Sequence, residues 1–128
     1  MKVFVAFDVN EQGDRQTVLA TLELISNALH AAGVESYSAH VQHDAPLSGQ
    51  TIKAALEKID DCDAVLAFVQ SDNISEGMIL ELGYSYIRKP IHIFTKEGIS
   101  LASYELADSV TEWQNLDQIE HLIKERFA

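Results

Sequence analysis

Short apolar runs alternate with longer helical repeats along this chain, and that alternation narrows the folds open to it. Lys2–Phe7 (KVFVAF), Ala64–Val69 (AVLAFV) and Ile91–Thr95 (IHIFT) are rich in Val, Ile and Phe and bounded by polar residues, Gly or Pro, as buried strands are. Glu35–Val41 (ESYSAHV) alternates in character and reads as a fourth strand, and Ser109–Trp113 as a fifth. Between them lie apolar repeats of helical spacing. Asp14–Ala32 carries Val18, Leu19, Leu22, Ile25, Ala28 and Leu29 and stops at Gly33. Ser48–Asp60 repeats Ile52, Ala55, Leu56 and Ile59, Ile74–Lys89 runs up to Pro90, and Leu116–Phe127 sets Leu116, Ile119, Leu122, Ile123 and Phe127 on one stripe. Strands that alternate with helices in this way form an α/β sheet, mostly parallel, with helices on both faces. No internal repeat or linker divides the 128 residues, so a single domain over 1–128 is expected.

Charge excludes whole classes of partner. Nine basic residues against 20 acidic ones give a formal net charge of −11. A field of that sign repels nucleic acid polymers and anionic membrane surfaces, and no run is long enough to span a bilayer. The partner expected is a small molecule. The start MKVFVAFDVN reads as a first strand and not a signal peptide, because Asp8 and Glu11 stand where small residues would mark a cleavage site. A lone cysteine, Cys62, forms no internal disulfide and fits a cytoplasmic location. It lies between Asp61 and Asp63, which raise a thiol pKa.

In a parallel sheet of order 2-1-3-4-5 the ligand crevice opens beyond the carboxyl ends of strands 1 and 3. Two loops border it, Phe7–Asp14 (FDVNEQGD) and Gln70–Gly77 (QSDNISEG). The second leads into SDNISEGMILELGY, where Ser71, Asn73 and Ser75 are all candidate caps and Asn73 with Glu76 would form a capping box. One carboxylate, Glu81, follows a turn later. Either it belongs to a solvated face with Gly77, Ser85 and Arg88, or the small residues Gly77 and Ser85 leave room over it for a ligand.

The residues EGMILELGY followed by KPIHIF resemble the nucleophile segment of the nucleoside 2-deoxyribosyltransferase family, which includes nucleotide-cleaving N-glycosidases. GDRQ (13–16), DCDAVLAFV (61–69) and ISLASYELADSV (99–110) resemble other family segments in the same order. The resemblance implies a flavodoxin-like three-layer sandwich, a homodimer or larger homo-oligomer, and Glu81 as a nucleophile that carries the sugar covalently. It implies no cofactor. The family carries acids at the positions of Ala55 and Ser75, which leaves Asp8 and Asp72, both bordering the crevice, to assist departure of the base. Substrate contacts implied around them are Phe7, Arg15, Ser75, Gly77 and Tyr84, with Ser100 and Ser103 reaching in from a neighbouring subunit. Phe7 either stacks on a base or is a strand-end core residue, and Arg15 either orients substrate or pairs with Asp14 or Glu11. The first loop lacks the glycines that would cradle a 5′-phosphate.

Other constellations are thin. His40 and His43 lack a third metal ligand. Asp60, Asp61 and Asp63 precede the third strand instead of following it, unlike a phospho-acceptor cluster. Two alternatives stay open: a nucleoside-binding module of the same fold without turnover, and an interaction domain related to the TIR domains, some of which use a glutamate against NAD.

Overall fold

The computed structural model describes residues 1–7, 15–38 and 49–128, with the backbone alone at Arg15, Gly49, Gln50 and Thr51. Among these residues five strands form one sheet: β1 (Lys2–Phe7), β2 (Glu35–Tyr37), β3 (Ala64–Val69), β4 (Ile91–Lys96) and β5 (Ser109–Trp113). Their order is β2-β1-β3-β4-β5, and every neighbouring pair is parallel. The register aligns Phe7, Phe68 and Phe94 across the sheet. Burial follows position: central β3 is buried at all six residues, whereas edge strand β5 alternates.

Among the described residues four α-helices cover the faces: α1 (Arg15–Ala31), α2 (Gly49–Asp60), α3 (Glu76–Ser85) and α4 (Ile119–Phe127). Short 3-10 turns at Ala102–Leu106 and Leu116–Gln118 precede β5 and α4. Strand alternation divides the core into two layers. Val3, Val5 and Phe7 pack with Leu66, Phe68, Phe94 and Trp113 beneath α1 and α4. Phe4 and Ala6 pack with Val65, Ala67, Val69, Ile91 and Ile93 beneath α2 and α3. On the first side the rings form a continuous stack, Phe7 on Phe68 at 5.6 Å and Phe68 on Trp113 at 5.0 Å.

α3 is shorter than the sequence repeat suggests. The chain leaves the helix at Tyr86 (ψ 132°), and Ile87 takes a left-handed φ of 64°. Residues 86–89 are consumed in reversing the chain toward β4, since Pro90 requires an extended residue before it. The amides of Arg88 and Lys89 both return to the Ser85 carbonyl at 2.9 and 3.0 Å. The start also differs from the expected Asn73 box. Ser75 is the cap, its Oγ accepting from the Met78 amide at 3.2 Å, while the Asn73 amide donates to Ser71 Oγ at 3.4 Å. The outer residues of the expected β2, Ala39–Val41, lie outside the described part, as do the first-loop acid Asp8 and His40 and His43.

Candidate active site at the sheet switch point

The strand order reverses between β1 and β3, and α3 descends from the carboxyl end of β3 beside that point. Its inner line is Gly77, Met78, Glu81, Leu82 and Ser85, all buried. Glu81 is 5% exposed. The polar outer face that Gly77, Glu81, Ser85 and Arg88 could have formed is therefore absent: the first three turn inward, and Arg88 alone is exposed. A glutamate buried to this degree is rare, because withdrawing a carboxylate from water costs several kcal/mol unless the site compensates. Ser85, fully buried, donates from Oγ to the Glu81 carbonyl at 2.7 Å and so holds the helix backbone at that residue.

The surroundings of α3 come from three directions. Beneath lie Phe4, Ala6, Ala67 and Val69; beside it, α2 contributes Ala55 and Ile59. Ala55, at the position where the family resemblance places an acid, is 3% exposed within that apolar layer. On the other flank the 3-10 turn Ala102–Leu106 packs against α3 in the same chain. Tyr104 anchors that turn, its hydroxyl 2.6 Å from Oγ1 of Thr95, which is 1% exposed at the carboxyl end of β4. Burial pushes the Tyr104 phenol up, against a smaller downward effect of the Thr95 hydrogen bond. Within the same turn Ser103 Oγ is buried without a hydrogen-bond partner.

The residues singled out from sequence separate into groups. Ser75 caps α3, Gly77 and Glu81 lie on it, and Ser103 lies on the turn that flanks it. Asp72 is exposed in the loop between β3 and α3, and Ser100 is exposed before the 3-10 turn. Tyr84 faces α2: its hydroxyl lies 2.8 Å from both carboxylate oxygens of Asp60, and Arg88 covers its ring at 4.5 Å. The hydrogen bond to Asp60 is the main cause that raises its pKa. Phe7 has no exposed surface and lies in the opposite layer, stacked on Phe68, so its ring faces are occupied by core. Asp8 and the Arg15 side chain lie outside the described residues. Thr95 and Tyr104 were missed by sequence reasoning; a hydroxyl residue ending an otherwise apolar strand was the available signal.

Other clusters resolve into structural roles. Asp63 accepts from the Lys2 amide at 2.8 Å. The Cys62 thiol is pushed up chiefly by burial, with Asp61 and Asp63 as lesser causes. Among the described residues no three metal-ligating side chains gather, and no helix is long and apolar enough to cross a membrane. A groove of about 410 Å³ on α1, lined by Gln16, Thr17, Ala20, Thr21, Leu24 and Leu116, holds no titratable group and lies on the face opposite α3.

Several solved structures share this architecture. A 2-deoxyribosyltransferase from Bacillus psychrosaccharolyticus superposes with a TM-score of 0.69 at 20% identity, over 94% of this chain and 90% of its own. The CMP N-glycosidase BcmB of Clostridium botulinum gives 0.71 at 16% identity, over 98% and 99%. A conserved protein from Enterococcus faecalis V583 gives 0.73 at 16%, over 98% of each chain. The chain has the fold of the 2-deoxyribosyltransferases. At these identities the likeness speaks for the fold. No protein-family model matches the sequence, and no curated protein does.

Proposed function

We propose that this protein cleaves or transfers at the N-glycosidic bond of a small nucleoside or nucleotide, with Glu81 as nucleophile, as a cytoplasmic homo-oligomer. The observation that carries the reading is the burial of that carboxylate on the inner line of α3, at the switch point of a sheet shared with enzymes of this chemistry. In the first step a Glu81 oxygen bonds to the anomeric carbon while the bond to the base breaks. The bonding pair leaves on the base nitrogen, and a proton from Asp72 or Asp8 neutralises it. In the second step another base or water attacks the anomeric carbon from the opposite side, and its proton returns to the aspartate that protonated the first base. The sugar–Glu81 ester bond breaks, the carboxylate returns, and configuration is retained. No redox partner or cofactor is required.

The test is incubation with a panel of 2′-deoxynucleosides and their 5′-monophosphates, with and without an acceptor base, followed by chromatography. Released or exchanged base is expected, with a sugar adduct on Glu81 visible by mass spectrometry after rapid quenching. Glu81→Ala abolishes turnover; equal rates in the variant remove Glu81 from the mechanism. A second reading, a binder that does not turn over, is favoured by Ala55, which leaves the inner face of α2 apolar beside α3. Tight binding across the panel with no product selects it.

A further inference from the structure

α3 carries apolar residues around more of its circumference than the sheet covers. Successive residues of a helix stand about 100° apart. Starting from the α2 side, the order round α3 is therefore Tyr84, Glu81, Met78, Leu82 and then Ile79. Glu81, Met78 and Leu82 are buried, whereas Ile79 is 52% exposed. The sheet takes Met78 and Leu82, and how deep Glu81 sits beside them depends on the roll of the helix about its own axis. A roll of part of a turn keeps both on the sheet, brings Ile79 under and lifts Glu81 into water. Each exchange favours the rolled helix, because apolar surface is buried and a carboxylate regains its hydration. The observed setting therefore calls for a contact that such a roll breaks.

Such a contact stands on the α2 side. The Tyr84 hydroxyl lies 2.8 Å from both carboxylate oxygens of Asp60, the last residue of α2. A carboxylate acceptor makes this one of the stronger kinds of hydrogen bond. The Tyr84 ring packs against the apolar layer beneath α2 and α3, and the Arg88 guanidinium covers it at 4.5 Å. Lys89 donates to the Asp60 carbonyl at 3.2 Å, which fixes the acceptor end of the clasp as well. Tyr84 stands three residues after Glu81 and about 60° round the helix from it, so a roll that lifts Glu81 out carries the phenol away from Asp60. The hydrogen bonds of Ser75 Oγ with the Met78 amide and of Ser85 Oγ with the Glu81 carbonyl belong to the helix and its cap and turn with it.

We propose that Tyr84 is a positioning residue whose bond to Asp60 sets the roll of α3 and keeps the Glu81 carboxylate turned inward. The role rests on Glu81 as nucleophile, but its test reads access to the carboxylate and not turnover, so the two readings fail separately. The full chain is treated briefly with a water-soluble carbodiimide and an amine, and amide formation at each carboxylate is followed by peptide mass spectrometry. Glu76 is exposed on the same helix, so the ratio of Glu81 to Glu76 labelling cancels reagent decay, and a low ratio is expected. Tyr84→Phe keeps the ring, removes the hydroxyl and raises the ratio roughly three- to ten-fold, as loss of one hydrogen bond between two settings does. Cys62, the one cysteine and 1% exposed, stays as slow toward a thiol reagent as before, which shows that the chain has not opened globally. Ile79→Ser, added to Tyr84→Phe, removes the apolar side chain that the roll buries and returns the ratio toward its starting value. A ratio that Tyr84→Phe leaves unchanged overturns the proposal, as does one that rises together with Cys62 labelling. A ratio that Ile79→Ser does not bring back overturns the roll. A Glu81 as reactive as Glu76 in the unaltered chain overturns it at the outset. A protected Glu81 with no product from any nucleoside sinks the chemistry and leaves the clasp standing.

Discussion

The Tyr104–Thr95 hydrogen bond holds the wall beside the candidate nucleophile helix, and a double-mutant cycle should give its strength. Tyr104→Phe removes the hydroxyl and keeps the ring, which packs with Ile99, Leu101 and Leu106 against the layer under α3. Thr95 is 1% exposed, so no water replaces the lost partner freely. Its Oγ1 retains a longer donation to the Lys96 carbonyl at 3.3 Å. A satisfied hydrogen bond contributes about 0.5–1.5 kcal/mol, and a buried hydroxyl left without one costs about 1–3 kcal/mol. The residual bond puts Tyr104→Phe between these, near 1 kcal/mol, or roughly 3–5 °C in melting temperature for a chain of this size. Thr95→Val leaves the half-buried phenol able to find water and costs less. The coupling between the two is expected near 1 kcal/mol. Urea unfolding followed by the fluorescence of Trp113, the one tryptophan and 3% exposed, reads it, with an unchanged denaturant slope. In hydrogen exchange, the amides of Tyr104 and Ala107, which close the 3-10 turn at 3.0 and 3.1 Å, should lose protection first. Coupling below about 0.3 kcal/mol, the scatter of independent sites, would refute the view that this bond ties the turn to the sheet.

Ser75→Ala should destabilise the chain by about 1 kcal/mol by removing the α3 cap, whereas Ser75→Asp should retain it, both measured by urea unfolding. His92 is half-buried, with Nδ1 2.7 Å from Ser109 Oγ and its ring edge-on to Phe127 at 5.4 Å. Its pKa is lowered by desolvation first and then by Arg126, with Asp108 opposing. The folded chain therefore binds this proton less readily than the unfolded one. The associated stability is complete above the ordinary histidine value of about 6.5 and is lost as pH falls through the lower folded value, with a slope of no more than about 1.4 kcal/mol per pH unit for one proton. His92→Gln should lack that part of the slope in stability measured between pH 7.5 and 5 or so, and an unchanged difference between the two proteins across that range would refute the assignment.

The strands were legible in both the buried centre and the half-buried edge of the sheet. β1 and β3 match their apolar runs residue for residue, β5 matches its expected span although its burial alternates, and β4 extends one residue further, to Lys96. Where the reading failed, the information was not local. Alternation along β1 says that Phe7 shares a face with Val3 and Val5 but not which helices cover that face; the opposite layer took it. Tyr84 is three residues from Glu81, yet its hydroxyl is claimed by Asp60, which lies 24 residues earlier. The end of α3 was obscured because Pro90 announces a boundary without saying how many residues the reversal before it consumes. The candidate nucleophile was legible as a residue but not as an orientation. Met78, Ile79, Leu80 and Leu82 surround it on every side of the helix, so periodicity fits Glu81 inward or outward equally well. Only the sheet beneath decides, by taking Met78 and Leu82 and carrying Glu81 in with them.

That outcome places one departure from local rules on a ten-residue helix and another just past its end. A carboxylate is buried on the inner side of the helix, and Ile87, two residues beyond it, is exposed in a backbone region that isoleucine disfavours. Such local conflicts with the fold concentrate where a protein does something other than fold. A helix pinned to the sheet through Met78 and Leu82 has little freedom to tilt, and the covalent step proposed for Glu81 depends on holding the attacking oxygen within a few tenths of an ångström of its path.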